Sequence, residues 1–98
     1  MDVAFKDESL DRLEIDPTYS GRYGSDVVKA YRKAMQHIRA ATDERTLYNR
    51  RGFRFEKLSG NREGQCSLRL NKQWRLIVEI TGTAPNKVVN VLEIADYH

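Results

Sequence analysis

The chain has 98 residues, of which 40% are hydrophobic and 32% are charged, and its formal net charge is +3. This size and composition indicate one globular domain, residues 1–98, and exclude an intrinsically disordered chain. No apolar run is long enough for a membrane span, and the segment after Met1 lacks a signal-peptide pattern. The single cysteine, Cys66, favours a reducing cytoplasm.

Positive charge is concentrated in residues 45–75. This stretch holds nine basic residues against two acidic ones, a net charge of +7, whereas the rest of the chain holds eight basic against twelve acidic residues, a net charge of −4. Such a basic pole predicts an acidic partner, with a nucleic acid as the natural choice. The alternative is a solvated charged face without a partner.

The chain begins with a short strand and a short helix in this interpretation. Val3–Phe5 is the strand candidate. The helix is predicted over Glu8–Ile15. Asp7 is a good N-cap for its start, and Asp16 should end it because the residue before a proline is disfavoured in a helix.

A longer helix follows a glycine-containing loop. Apolar residues at helical spacing predict it over Ser25–Ala41, with one wide apolar face that must pack against the rest of the domain. Thr42 is predicted to cap a further short helix over Asp43–Tyr48.

From Phe53 onward, apolar residues recur every second position, which is typical of strands. Four strands are predicted, at Phe53–Leu58, Gln65–Leu70, Gln73–Ile80 and Lys87–Ala95. Short turns between them predict an antiparallel meander. The predicted fold class is therefore α+β, with two N-terminal helices packed on one face of a sheet of four or five mainly antiparallel strands.

Alternation along the two central strands assigns their side chains to opposite faces. The apolar set Cys66, Leu68, Leu70, Trp74, Leu76, Val78 and Ile80 is predicted to face the helices. Arg69 and Arg75 then take the other face, because burying unpaired guanidinium groups would cost more than the apolar burial gains. The sequence therefore predicts an uncovered cationic face.

Three further basic residues are candidates for phosphate contacts beside this face. The turn Gly60–Gly64 holds Arg62 near it, although a hairpin turn needs no function. Lys57 lies on the preceding strand, where an ordinary surface lysine is an equal alternative, and Lys72 lies in the next turn. No nucleotide-cofactor loop and no metal-ligand spacing is present, so neither a cofactor nor a metal is predicted.

The last three residues are Asp96, Tyr97 and His98. Histidine has a side-chain pKa suited to proton transfer near neutral pH, so His98 is a candidate acid or base for a phosphodiester held by arginines. The other histidine, His37, is predicted to be solvated on the long helix. Cys66 is predicted to be a small buried hydrophobic residue.

These residues resemble the HigB group of the RelE/ParE toxin superfamily, the ribosome-dependent mRNA interferases of bacterial toxin–antitoxin modules. The similarity covers nearly the whole chain. Its motifs are Phe5-Lys6-Asp7 with the following short helix, the long basic helix, Lys57–Gln65, Ser67–Asn71, Gln73–Leu76 and the ending Glu93–His98. Their order and spacing, together with the terminal Asp-Tyr-His, make the resemblance specific.

The resemblance implies a fold related to microbial ribonucleases and metal-independent cleavage of mRNA in the ribosomal A site. The ribose 2′-OH attacks the adjacent phosphate, giving a 2′,3′-cyclic phosphate and a 5′-OH. By motif matching, Arg75 holds the scissile phosphate and Arg62 contacts phosphate or ribosomal RNA. Tyr97 orients or stacks on a base, Asp96 positions its neighbours, and His98 is the general acid or base.

The implied partner is a HigA-type helix-turn-helix antitoxin, which neutralises the toxin and represses the operon, so that operator DNA is bound only through their complex. Two residues depart from the pattern. Ser59 stands where relatives commonly carry lysine, with Lys57 as the candidate replacement, and Cys66 stands where an aromatic residue is common. Two alternatives stay open, a ParE-like non-catalytic inhibitor of DNA gyrase and an RNA-binding module without cleavage. The Asp-Tyr-His ending favours the nuclease.

Overall fold

The computed structural model describes residues 1–96. Three helices and five strands follow in the order β1 (Asp2–Phe5), α1 (Glu8–Ile15), α2 (Ser25–Ala40), α3 (Glu44–Tyr48), β2 (Glu56–Lys57), β3 (Cys66–Arg69), β4 (Trp74–Thr81) and β5 (Val88–Asp96). Short 3-10 turns occur at Arg51–Phe53 and Gly60–Arg62. Within residues 1–96, no helix is long and apolar enough to cross a membrane.

The strands form one sheet in the order β1-β5-β4-β3-β2. Strands β2 to β5 pair antiparallel as consecutive neighbours, whereas β1 lies parallel to β5 at the other edge. The α+β prediction, with N-terminal helices on a mainly antiparallel sheet, is therefore confirmed. The register of β4 against β5 shifts between Ile77 and Val78, which leaves one extra residue in β5, a β-bulge that bends and twists the strand.

Helix boundaries follow from local caps. The Asp7 side chain accepts a hydrogen bond from the Ser9 backbone N–H at 2.9 Å, so α1 begins where it was predicted to begin. The cap of α3 is Asp43, which accepts from the Arg45 N–H at 2.9 Å. The prediction of Thr42 as this cap is wrong by one residue. Threonine and aspartate side chains can both accept such a bond, and in the structure Asp43 is the residue that does.

The core lies between the helices and one face of the sheet. Tyr31 of α2 is fully buried, and its hydroxyl donates a hydrogen bond to the Leu10 carbonyl at 2.7 Å, which ties α2 to α1. Burial raises the pKa of this hydroxyl. The Met1 ammonium donates to the Ile38 and Arg39 carbonyls, both at 3.2 Å. It thereby places a positive charge at the negative C-terminal end of α2.

The strand predicted over Phe53–Leu58 is much shorter in the structure. Only Glu56 and Lys57 pair with β3, while Phe53 ends a 3-10 turn and Arg54 has a left-handed backbone, with φ of 44°. Phe53 and Phe55 are both buried, with exposures of 9% and 7%. Their spacing of two is typical of a strand, but both rings enter the core from an irregular segment.

Candidate functional site

Two arginines face each other across the centre of the sheet. Arg69 of β3 and Arg75 of β4 are register partners, and alternation places both on the face away from the helices. Both side chains are half-buried. Because register partners are neighbours on one face of a sheet, the pairing places two arginine side chains side by side there.

A third arginine reaches the same face from the turn between β2 and β3. The Arg62 guanidinium donates to the Gln65 side-chain oxygen and to a Glu93 carboxylate oxygen, both at 3.1 Å. Glu93 is the register partner of Ile77, which shares the face of Arg75. The turn therefore positions Arg62 on the arginine face, as its place in the sequence predicted. We call Arg62, Arg69 and Arg75 the arginine face below.

The prediction that this face is uncovered is wrong in part. Ser67 and Ile77 lie on it with exposures of only 0% and 2%, and neither arginine of the central strands is fully exposed. Alternation determines which face a side chain takes, but it does not determine how far neighbouring side chains shield it. Here Arg62 reaches across to Glu93 beside Ile77, and long arginine side chains can cover apolar surface with their stems.

Sequence reasoning missed Glu93 as the partner of Arg62. Alternation along β5 could have suggested which of its residues share the face of the arginines. The bulge shifts the register of this strand, however, so only the structure shows which residue meets the turn. Both side chains of the ion pair are about half exposed, 42% for Arg62 and 47% for Glu93. Such a pair contributes little to stability, and it leaves Arg62 available to a competing anion.

Asp96 lies at the end of β5, opposite Trp74 in register. Its carboxylate accepts a hydrogen bond from the Gln73 side-chain amide at 3.1 Å. Alternation places Asp96 with Trp74 on the helix side, so the structure does not bring it onto the arginine face. The predictions for Tyr97 and His98 concern residues outside the part of the chain that the structure describes.

Of the two candidate lysines, Lys57 lies apart from the arginine face. Lys57 is the register partner of Cys66, and both side chains line a cavity on the helix side of the sheet. The register therefore places Lys57 on the helix side of the sheet. Lys72 is exposed in the turn between β3 and β4.

The prediction for Cys66 is confirmed, whereas the prediction for His37 is wrong. Cys66 is buried, as predicted, and burial raises the pKa of its thiol, which disfavours a nucleophilic role. His37 is half-buried rather than solvated, because its ring packs edge-on against Phe53 with centroids 5.3 Å apart. Among residues 1–96, no group of three or more His, Cys, Asp or Glu side chains is arranged to hold a metal ion.

Comparison with known protein families assigns this chain to one of them. Residues 3–98 match the family model of the HigB-like toxin, described as the RelE-like toxin of type II toxin–antitoxin system HigB. The chain belongs to this family. The chain is therefore a toxin of a type II toxin–antitoxin system, and its partner class is an antitoxin. The resemblance that the sequence motifs predicted is confirmed.

Individual relatives agree with this assignment. The chain is 37% identical over 87 residues to Toxin HigB-1 of Vibrio cholerae serotype O1, covering 88% of this chain and 92% of that protein. In fold it is similar to a YoeB/ParE toxin from Agrobacterium tumefaciens, with a TM-score of 0.65, 16% identity and full coverage of both chains. A YoeB-YefM complex from Staphylococcus aureus has a TM-score of 0.56 at 16% identity, covering 100% of this chain and 97% of that chain.

Proposed function

We propose that this toxin is a ribosome-dependent, metal-independent endoribonuclease that cleaves translated mRNA in the ribosomal A site. The ribose 2′ oxygen forms a bond to the adjacent phosphorus and the bond to the 5′ oxygen breaks, leaving a 2′,3′-cyclic phosphate and a 5′-OH. The observation that carries the proposal is the arginine face in a HigB-like toxin whose sequence ends Asp96-Tyr97-His98. A purely binding protein needs no proton-transfer group there.

The proposed division of work follows the chemistry of each side chain. Arg75, beside Arg69, holds the scissile phosphate and stabilises its developing charge, and Arg62 contacts phosphate or ribosomal RNA. His98 accepts the proton of the 2′-OH or donates one to the leaving 5′ oxygen. Tyr97 orients or stacks on a base.

Asp96 is proposed as a positioning residue for the two residues after it. Its hydrogen bond from Gln73 supports this role, because the bond joins the end of β5 to the start of β4, one residue before Trp74 and two before Arg75. An anchored strand end would restrict where the following two residues reach. Lys72, exposed in the adjoining turn, is proposed to contact the RNA backbone by charge alone.

The proposed antitoxin is a HigA-type helix-turn-helix protein, and operator DNA would be bound only by the toxin–antitoxin complex. The family description, which names the HigB system, supports this choice. The proposed place of action is the cytoplasm, where translated mRNA and ribosomes meet.

Mapping mRNA 5′ ends after induced expression tests the function. We expect new 5′ ends inside translated reading frames, and their disappearance when translation of the same mRNA is blocked by removing its start codon. Intact mRNA together with gyrase-linked DNA breaks would favour a ParE-like gyrase inhibitor instead. Intact mRNA and intact DNA, with RNA binding retained, would favour a non-catalytic RNA-binding module.

The ion pair between Arg62 and Glu93 gives a second prediction. Glu93→Gln should tighten binding of RNA by about two- to fivefold at low salt, because Arg62 then loses a competitor worth about 0.5–1 kcal/mol for an exposed pair. The thermal unfolding temperature should change little. Fluorescence anisotropy with a labelled RNA measures the affinity.

Glu63→Gln is the matched control, since Glu63 is an exposed carboxylate in the same turn and its substitution changes the net charge equally. The effect of Glu93→Gln should exceed that of the control and should disappear at high salt. Equal effects of both variants would show that net charge, and not release of Arg62, changes the affinity.

A further inference from the structure

A group of basic side chains, which shares Arg69 with the arginine face, surrounds a cavity of about 690 Å³. Its walls come from α2, the end of α3, the 3-10 turn at Arg51–Phe53 and the end of β3. Among the described residues that line it, five are basic and none is acidic; the basic ones are Lys33, His37, Arg50, Arg51 and Arg69. Its volume lies within the range of about 300–1,000 Å³ that is typical of ligand pockets.

Contacts within the local fold position these basic side chains. Lys33 and His37 are four residues apart on α2 and therefore project from the same side of the helix. Phe53 is buried and contacts the His37 ring, which fixes the 3-10 turn that follows Arg50 against α2. Arg69 lies at the end of β3, beyond the two residues that pair with β2, so it lines the cavity at the edge of the sheet although alternation directs its side chain away from the helices. Its guanidinium donates to the Asn71 carbonyl at 3.3 Å.

Five basic residues elsewhere in residues 1–96 are paired with a carboxylate, unlike the basic side chains of the cavity. Arg12, Arg39, Arg45, Arg62 and Lys87 each form an ion pair with a carboxylate. Within residues 1–96, none of the basic residues that line the cavity forms such a pair. Partial burial, with the positive charges of Arg50 and Lys33, lowers the pKa of His37, so these two charges repel a proton on the ring. An external anion would relieve this repulsion.

We propose that this cavity is a second phosphate-binding site, which takes the sugar-phosphate backbone of an RNA strand that also contacts the arginine face. Arg69 joins the two sites, because it lines the cavity and is the register partner of Arg75. Arginine forks bind phosphate through two parallel hydrogen bonds. The choice of RNA over an acidic peptide rests on the proposed function and on this continuity.

RNA binding by the full chain tests the proposal. The probe is a short single-stranded RNA with 2′-O-methyl riboses, which blocks the nucleophile and leaves binding as the only event. The double variant Arg50→Gln/Arg51→Gln should weaken binding by about tenfold, the effect of removing a charge-assisted hydrogen bond. The slope of log K against log salt should fall by about 0.7 for each phosphate that the variant no longer neutralises.

The control is Lys6→Gln/Arg22→Gln, which removes two exposed charges that lie outside both sites. It should change affinity and salt slope much less. Equally weakened binding in both double variants would overturn the proposal. Binding of polyglutamate that depends on Arg50 and Arg51, with RNA binding unaffected, would overturn the assignment to RNA and identify an acidic protein partner.

Titration of the His37 ring by NMR with inorganic phosphate separates this site from the proposed function. The charged groups around the ring are Lys33 on its own helix, Arg50 and Arg51 beyond α3, and Arg69 on β3. Bound phosphate opposes their charge, so the pKa of His37 should rise. The same rise in an Arg75→Ala variant, whose substitution lies outside the cavity, would support the site even if mRNA cleavage is never observed. A pKa of His37 that ignores phosphate would contradict it.

Discussion

Arg75→Ala should abolish growth arrest and lower the rate of mRNA cleavage by about 10²–10³-fold. This is the effect of removing a group that stabilises charge in the transition state, about 2.7–4 kcal/mol. Arg75 lies half-buried on the arginine face opposite Arg69, where the proposed scissile phosphate is held. Single-turnover cleavage of ribosome-bound mRNA measures the decrease, and circular dichroism confirms that the variant is folded.

Two further variants sharpen this test. Arg75→Lys keeps the charge but loses the two-pronged geometry, so it should retain part of the activity. Deleting His98 should remove activity as completely as Arg75→Ala, since the proton-transfer group is then missing. Lys6→Ala, a change at an exposed residue away from the arginine face, should remain fully toxic. Undiminished toxicity in both Arg75→Ala and the His98 deletion would refute the catalytic assignment.

Leu76→Ala should lower the free energy of unfolding by about 2–5 kcal/mol. Leu76 is fully buried in β4, between its register partners Leu68 and Ile94, so removing its methyl groups leaves a cavity in the core. A domain of this kind is stable by only about 5–15 kcal/mol, and the variant should therefore unfold at a clearly lower urea concentration. Urea titration followed by circular dichroism measures the change.

Ile15→Ala is the matched control. Ile15 ends α1 with an exposure of 68%, so its truncation removes little buried surface and should change stability by at most about 0.5 kcal/mol. If Leu76→Ala were as mild as this control, the assignment of β4 side chains to the core face would be incorrect.

Features with local causes could be predicted closely from the sequence. The bounds of α1 are the predicted ones, because its N-cap Asp7 and the Asp16-Pro17 ending act within a few residues. The strand over Phe53–Leu58 could not be recognised as mostly irregular, because Phe53 and Phe55 both pack into the core. Two buried apolar side chains, two positions apart, occur both in a strand and in this irregular segment.

The candidate site shows the same division. Alternation placed Arg69 and Arg75 on one face, and the structure agrees, since that relation depends only on the two-residue period and the pairing of consecutive strands. For Lys57 the sequence left a phosphate contact and an ordinary surface lysine as equal alternatives, and its pairing with Cys66 places it on the helix side. That outcome depends on the register between β2 and β3, which a two-residue strand does not specify.

The sequence by itself determined the α+β class, the family and which strand residues share a face, because these depend on local periods, caps and ordered motifs. Tertiary structure alone decided which distant side chains meet. It joined Arg62 to Glu93, and it gathered basic side chains separated by up to 36 positions, from Lys33 to Arg69, around one cavity. Such meetings depend on strand register, on the bulge in β5 and on how helices and turns pack across the sheet, and none of these is a property of neighbouring residues.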